Sequence, residues 1–187
     1  MLSLAALVFL GVIALLVVWF VSMYNGLVSM RNGVRNAWSQ IDVQLKRRHD
    51  LIPNLVETVK GYAGHEKQTL ENVTRARAQA VSAHGVGEQA KAEQSLTGAL
   101  GRLMLVVEQY PDLKANQSFL SLQEELTSTE NKIGFARQNY NDTVMFFNTR
   151  IESVPTNIVA GMFQFQKEEF FELQDEAARE APKVSFS

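Results

Sequence analysis

The sequence predicts an all-α protein in which an N-terminal transmembrane helix is followed by an up-and-down bundle of long helices. Three observations lead to this prediction. The first 30 residues carry no charged side chain, and apolar residues then recur three and four positions apart through most of the chain. Only 4 prolines and 11 glycines are available for turns, which is too few for a many-stranded sheet.

Residues 1–23 are predicted to cross a membrane as one uncleaved helix. About 20 apolar residues span the ~30 Å hydrocarbon core of a bilayer, and the polar side chains of this stretch are Ser3 and Ser22. Trp19 and Tyr24 fall where an aromatic belt would lie at the exit side. A cleaved signal peptide is the alternative, but it needs a basic residue before the apolar run, and none is present.

The basic residues that follow the span predict its orientation. The chain after the span carries five of them before the first proline: Arg31, Arg35, Lys46, Arg47 and Arg48. Lysine and arginine near a span are retained on the cytoplasmic side. We therefore expect a single-pass protein with a short external N-terminus, a cytoplasmic C-terminal domain and the lipid bilayer as the partner of residues 1–23.

A long amphipathic helix is predicted to continue directly from the span. Apolar residues on two adjacent rows repeat every seven positions: Leu27, Val34 and Ile41, and then Trp38, Leu45 and Ile52. Pro53 interrupts this stripe, because proline lacks the backbone N–H and its ring clashes with the preceding turn. Two outcomes stay open, a kink at Pro53 or a chain reversal in which Asp50 caps a new helix.

The remaining helices are delimited by turn residues. The stripe resumes after Pro53, with Gly61 and Gly64 as a second candidate break, and residues 82–88 form the clearest loop. The next helix ends or bends at Pro111. Alternating three- and four-residue spacings then predict one helix from about residue 116 to 153, ~55 Å long.

The tail after this helix differs in composition. Pro155 closes the long helix, and Asn157 is placed to cap a short helix that runs through Met162. The residues beyond are acidic and rich in phenylalanine. The predicted organisation is therefore a span (1–23), a helical bundle domain (24–154) and a short helix with an acidic tail (155–187).

Several short motifs follow one another in a definite order. They are Tyr24-Asn25, Trp38, a run from Asp42 to Val56 that includes Arg47, Arg48 and Pro53, His65-Glu66, Tyr110-Pro111, Glu130-Asn131 and Tyr140-Asn141. In this order they resemble the LemA family of bacterial membrane proteins, from Tyr24 to about Phe163. Gly64 departs from the family pattern, in which a small hydroxyl residue is usual at that position.

The resemblance implies a fold, a location and a partner. It implies one N-terminal transmembrane helix and a four-helix up-and-down bundle with long helices, at the bacterial cytoplasmic (inner) membrane. LemA genes often lie near genes of membrane zinc metallopeptidases, so the resemblance also suggests a membrane peptidase partner.

The charged and polar motifs are interpreted mainly as structural. His65-Glu66 is the best candidate for metal binding or acid–base chemistry, but zinc needs three or four converging ligands, and His49 and His84 lie far away in the sequence. We expect these two residues to mark a helix start, where a carboxylate favours the positive end of the helix dipole. No metal or other cofactor is predicted.

Two further motifs suggest contacts between helices. Glu130, which precedes Asn131, is placed to meet Arg47 or Arg48 across the bundle, where such a pair fixes helix register. Tyr24-Asn25 and Tyr140-Asn141 would lie at one level if the last long helix returns to the membrane. A coincidence of two dipeptides is the alternative.

The predicted function is a non-enzymatic, membrane-anchored scaffold or adaptor that self-assembles. The alternative is an accessory or substrate-recognition subunit of a membrane enzyme such as a zinc metallopeptidase. The net charge of −2 and the short, interrupted basic run from residue 46 to 48 argue against a nucleic-acid partner, and the absence of cysteine excludes disulfides and thiolate chemistry.

Four phenylalanines in the tail are the candidate contact residues of a homo-oligomer. Phe163, Phe165, Phe170 and Phe171 follow the apolar stripe of the bundle, and proteins seldom leave such rings contiguous and exposed. They would fold back on the bundle, enter the bilayer interface or pack on a neighbouring copy. We favour the neighbouring copy, because the surrounding acidic residues would be repelled by an anionic lipid surface.

Overall fold

A computed structural model describes residues 4–172 of the chain, and every regular element within that range is a helix. Residues 1–3 of the predicted span and residues 173–187 of the predicted tail lie outside it. The all-α prediction is confirmed for the described residues. Six helices follow in order: α1 (Leu4–Tyr62), α2 (Lys67–Ser82), α3 (Val86–Val107), α4 (Pro111–Lys114), α5 (Gln117–Glu152) and α6 (Thr156–Met162).

Helix α1 joins the apolar N-terminal segment to the first amphipathic stripe without a break. Its length and composition suffice to cross a membrane, and no other helix among the described residues meets that requirement. Its first five turns expose apolar side chains, whereas Leu27, Val34 and Ile41 further along are buried. The predicted change from a uniformly apolar helix to an amphipathic one therefore takes place within a single element.

Pro53 does not end α1, so the predicted alternative of a chain reversal capped by Asp50 is wrong. The helix continues to Tyr62 and ends beside Gly61 and Gly64, the second candidate break. Proline has no N–H to give to the carbonyl of His49, four residues earlier. Arg77 Nε of α2 donates to this carbonyl at 2.6 Å, and the helix therefore tolerates the missing bond.

The other boundaries lie close to the breakers identified in the sequence. Gly85, between α2 and α3, has a φ of 81°, which glycine adopts without strain. Pro111 begins α4, where its missing N–H costs nothing, and Asn116 Oδ1 accepts a 3.0 Å hydrogen bond from the Phe119 amide at the start of α5. Asn157 does not cap α6, because it lies inside the helix and Pro155 precedes the first turn.

The described chain forms two compact units. The first combines residues 4–43 with 134–169, and the second combines 44–133 with 170–172. Leu27, Val34, Ile41, Val144 and Phe147 are buried in the first unit. The core of the second unit is formed by apolar residues of five helices, including Ile52, Leu55, Val59, Val73, Leu96, Leu103, Leu113 and Phe119.

Candidate functional site

Arg48 is the largest fully buried side chain of the second unit. It lies on α1 with 2% of its surface exposed. Leu27, Val34 and Ile41 are spaced seven residues apart on α1, and the next two positions of this row are Arg48 and Leu55. Helix periodicity therefore directs this guanidinium group inward, where an isolated charge would be very costly.

Two carboxylates and a hydroxyl surround the guanidinium group. Its Nη2 forms a buried ion pair with Glu93 of α3, and its Nη1 lies 2.5 Å from Glu130 Oε2 of α5. The same Nη1 donates to Thr97 Oγ1 at 3.2 Å. The pairing of Glu130 expected with Arg47 or Arg48 is made by Arg48.

Glu93 accepts hydrogen bonds from three side chains. Arg48 binds Oε2, while His49 Nε2 and Gln89 Nε2 both bind Oε1, at 2.8 and 2.7 Å. Burial by itself raises the pKa of Glu93, but the hydrogen bond from His49 and the charge of Arg48 outweigh it, so the pKa is lowered. The carboxyl group is therefore ionised, and His49 Nε2 is the donor in its hydrogen bond.

One turn of α1 thus binds three other helices. The Arg48 side chain reaches α3 and α5, the His49 side chain reaches α3, and the His49 carbonyl accepts from Arg77 of α2. Glu93 is fully buried, whereas Glu130 is half exposed. Such an arrangement fixes the register of the helices, because these donors meet their acceptors only when the helices are correctly aligned.

A cavity of about 310 Å³ adjoins this cluster. Its polar lining comes from Arg48, Thr97, Thr127, Glu130 and Asn131, and the apolar remainder comes from α3 and α5. Its volume and mixed lining suit a few water molecules or a small polar group. Within residues 4–172, no three histidine or acidic side chains converge to hold a metal ion.

The other predicted residues of the second unit lie outside the cluster. Arg47 pairs with Glu125 at 3.6 Å on the surface, and Pro53 is exposed on α1. His65 is exposed, and Glu66 immediately precedes α2 and accepts a 3.2 Å hydrogen bond from the Tyr110 hydroxyl. Glu66 therefore marks a helix start, although its carboxylate binds a neighbouring segment and not the amides of α2.

The aromatic motif residues lie in the first unit. The Tyr140 ring is 5.5 Å from the ring of Trp38, and its hydroxyl donates to the Glu169 carbonyl at 2.8 Å. Burial, followed by the charges of Glu168 and Glu169, raises the pKa of Tyr140 to about 12, so the hydroxyl remains a donor. Tyr24 lies about four turns before Trp38 on α1, so the two tyrosine motifs are not at one level.

The two asparagines of these motifs and the tail phenylalanines differ in exposure. Asn25 is exposed, and Asn141 is half-buried. Phe163 and Phe165 both contact Tyr24, Phe171 is buried, and Phe170 remains partly exposed. A contact between these rings and a neighbouring copy stays a prediction.

Glu93 is the site residue that sequence reasoning missed. It lies seven residues before Leu100 and fourteen before Val107, on the apolar row of α3. Arg48 occupies the equivalent kind of position on α1. A charged residue on an otherwise apolar row predicts a buried partner of opposite charge, and two such residues in one chain are the signal that could have paired them.

The sequence profile of the LemA family matches residues 37–186. The chain belongs to the LemA family. The resemblance inferred from the ordered motifs is therefore confirmed, and the matched range includes Arg48, Glu93 and Glu130.

Three relatives illustrate the match of this LemA-family chain. It is 32% identical over 143 residues to Protein LemA of Metamycoplasma hominis, covering 75% of the chain and 65% of that protein. It is 26% identical over 188 residues to Magnetosome protein MamQ 2 of Paramagnetospirillum magneticum, and the match covers 87% of the chain and 68% of that protein. It is also 26% identical over 174 residues to Magnetosome protein MamQ of Magnetospirillum gryphiswaldense, and the match covers 79% of the chain and 64% of that protein. The chain spans about two thirds of the length of these relatives.

Replacing the buried carboxylate should destabilise this LemA-family protein. Glu93→Gln keeps the shape of the side chain but leaves Arg48 with only the half-exposed Glu130 to balance its charge. We expect a loss of about 3 kcal/mol of unfolding free energy, measured by urea denaturation with far-UV circular dichroism. The control Glu125→Gln removes a surface pair and should cost about 0–1 kcal/mol. Equal losses in the two variants would contradict a structural role for the cluster.

The ion pair of Arg48 with Glu93 predicts how the stability of the fold depends on pH. The folded state holds the pKa of Glu93 below its usual value of 4.5, so the ionised carboxylate contributes stability above that pH. This contribution is lost as the pH falls through the folded-state pKa, because the unfolded chain takes up the proton more readily. The stability difference between the parent protein and Glu93→Gln should therefore be largest near pH 7 and shrink below pH 4.5. A difference that stays constant into acid would count against the ionised pair.

Proposed function

We propose that this LemA-family protein is a non-enzymatic, membrane-anchored helical scaffold or adaptor of the bacterial cytoplasmic membrane. One observation supports this most directly. Among the buried charged side chains of the described chain, Arg48 and His49 both bind Glu93. Their hydrogen-bonding groups are used to join helices, so few remain for binding or transforming a substrate.

The contacts of Arg48 and His49 also support the four-helix up-and-down bundle that the motifs imply. Segments of α1, α2, α3 and α5 meet at this turn. In such a bundle the helices pack lengthwise and expose long outer surfaces. These surfaces, and not a pocket, would be the working parts of a scaffold.

The family and the apolar first helix indicate a membrane-associated helical protein. We propose that α1 crosses the bilayer once, with the short N-terminus external and the body cytoplasmic. Arg31 and Arg35 support this orientation, because they follow the apolar run within the distance at which basic residues are most strongly retained.

The proposed orientation predicts the location of the C-terminus. A fluorescent protein that matures only in the cytoplasm should be fluorescent when it is fused after Ser187. A periplasmic phosphatase at the same position should be inactive. The reverse pattern would contradict the orientation while leaving the span itself in place.

Self-assembly is supported by exposed aromatic residues on α5. Phe135 and Phe146 are 74% and 65% exposed and lie eleven residues apart, so they occupy the same side of the helix, about 16 Å from each other. That side is opposite Tyr140 and Val144, which are buried. Aromatic residues are enriched in contacts between subunits relative to the rest of a protein surface.

The scaffold proposal predicts that the purified chain forms a homo-oligomer. The mass of the detergent-extracted protein should be a multiple of the 21.0 kDa chain, and Phe135→Ser with Phe146→Ser should reduce it toward the monomer. Leu105→Ser, which removes an exposed apolar side chain of α3, is the matched control and should not change the mass. If Phe163→Ser with Phe170→Ser dissociates the oligomer instead, the tail is the contact.

An accessory subunit of a membrane enzyme, such as a zinc metallopeptidase, is the second candidate. The cavity beside Arg48 favours it, because Glu130 and Asn131 bring polar groups to an opening in an otherwise apolar core. The mass measurement separates the two functions. A scaffold assembles by itself, whereas an accessory subunit without its partner would remain at 21.0 kDa.

A further inference from the structure

We infer that residues 154–163 form a second contact with the membrane, in which α6 and Phe163 lie in the interfacial layer of the bilayer beside the point where α1 leaves it. The inference rests on the proposal that the apolar start of α1 crosses the bilayer. It adds a surface that would hold the first unit against the lipid, beyond the single span.

The first observation is an uncharged segment with charged ends. No charged side chain occurs from residue 153 to 166. Glu152 and Lys167 border this segment, and their carboxylate oxygen and ammonium nitrogen lie 2.5 Å apart. The ion pair therefore closes a loop that contains α6 and presents only apolar and neutral polar groups.

The second observation is that α6 carries apolar side chains on its exposed side as well as on its buried side. Val159 and Ala160 are buried against the first unit. On the opposite side Ile158 and Met162, one turn apart, are 62% and 67% exposed. A helix at a water-facing surface normally carries polar residues on its outer side, so this outer side is suited to an apolar environment.

The outer apolar surface extends beyond both ends of the helix. Val154 before α6 is 79% exposed, and Phe163 after it is 49% exposed. Val154, Ile158 and Met162 are spaced four residues apart. Four exposed apolar side chains therefore occur within ten residues and are not scattered singly, which is the arrangement that marks an interaction site.

The third observation sets the depth of this surface. The Phe163 ring lies 4.5 Å from the ring of Tyr24 and 6.2 Å from the ring of Phe20. About 20 helical residues cover the hydrocarbon core, so a span that begins near Leu4 ends near these two aromatic residues. If α1 crosses the bilayer, Phe163 must then lie at the boundary between the acyl chains and the headgroups.

Contacts on the following residues hold α6 at that depth. The Asn148 side chain exchanges two 2.9 Å hydrogen bonds with the backbone of Glu168. The Phe165 ring lies 6.0 Å from the ring of Tyr24 and 5.0 Å from the guanidinium carbon of Arg31. The chain after α6 is thus attached to α5 and α1, and α6 cannot move away from the end of the span without breaking these contacts.

Lipid fits this surface better than another protein for two reasons. The surface continues directly from the proposed transmembrane segment, which already requires lipid around it. Its residues also form a short, uncharged helix with exposed apolar side chains that is followed by the aromatic ring of Phe163, and aromatic residues are enriched in the interfacial layer. Since Glu168, Glu169 and Glu172 follow, the contact should not depend on anionic lipids.

The experiment uses the whole 187-residue chain, which has no cysteine of its own. Ile158→Cys and Met162→Cys are each labelled with a polarity-sensitive nitrobenzoxadiazole fluorophore and reconstituted into phosphatidylcholine vesicles. The vesicles contain either no quencher or a lipid with a nitroxide near the headgroup end of its acyl chain. Val12→Cys reports on the span, and Leu105→Cys, an exposed apolar position of α3, is the control for a site in water.

The expected result is a blue-shifted emission and a loss of intensity with the nitroxide lipid for the probes at positions 158 and 162. The probe at position 105 should show neither change. If positions 158 and 162 behave like position 105 while position 12 is quenched, the span stands and the second contact is wrong.

Two other outcomes also overturn the inference. A blue shift at positions 158 and 162 without quenching by the nitroxide lipid would mean that protein, such as a second copy of the chain, covers the surface. If the probe at position 12 is itself not quenched, the membrane anchor of the proposed function fails, and the second contact fails with it.

Discussion

The buried charge of Arg48 is the constraint on which the second unit depends. Its position on the apolar row of α1 buries the guanidinium group, and α3 supplies Glu93 and α5 supplies Glu130 at hydrogen-bonding distance. A buried ion pair adds little stability compared with a well-packed apolar pair, but it is costly to separate. Its main effect is to disfavour every alignment of the helices in which Arg48 lacks its carboxylates.

The neighbouring residues extend this constraint to the backbone. Pro53 removes the helical hydrogen bond of the His49 carbonyl, and Arg77 of α2 replaces it. The His49 side chain meanwhile binds the same Glu93 that neutralises Arg48. Consecutive residues of α1 therefore create polar groups that only three other helices can satisfy, so the packing of the unit is determined at one turn.

The first unit is held by different interactions. Aromatic rings and hydrogen bonds between side chains and backbone join its segments, as in the contact of Tyr140 with Trp38 and its bond to the Glu169 carbonyl. These groups stay neutral over a wide pH range, since the pKa of Tyr140 is raised to about 12. Aromatic rings around the end of an apolar helix are suited to the edge of a membrane, whereas the ionic cluster joins the helices of the second unit.

Local sequence was sufficient to predict the helical class, the apolar first helix, the loop near residue 84 and the extent of α5. These features depend on periodicity and on glycine or proline within a few residues, and the ordered motifs were sufficient for the family. The tertiary structure alone decided the course of the chain at Pro53, because the group that replaces its missing hydrogen bond belongs to another helix. It also decided the role of Glu93 and which side of α6 is buried and which exposed, because burial and pairing depend on residues far away in the sequence that only folding brings together.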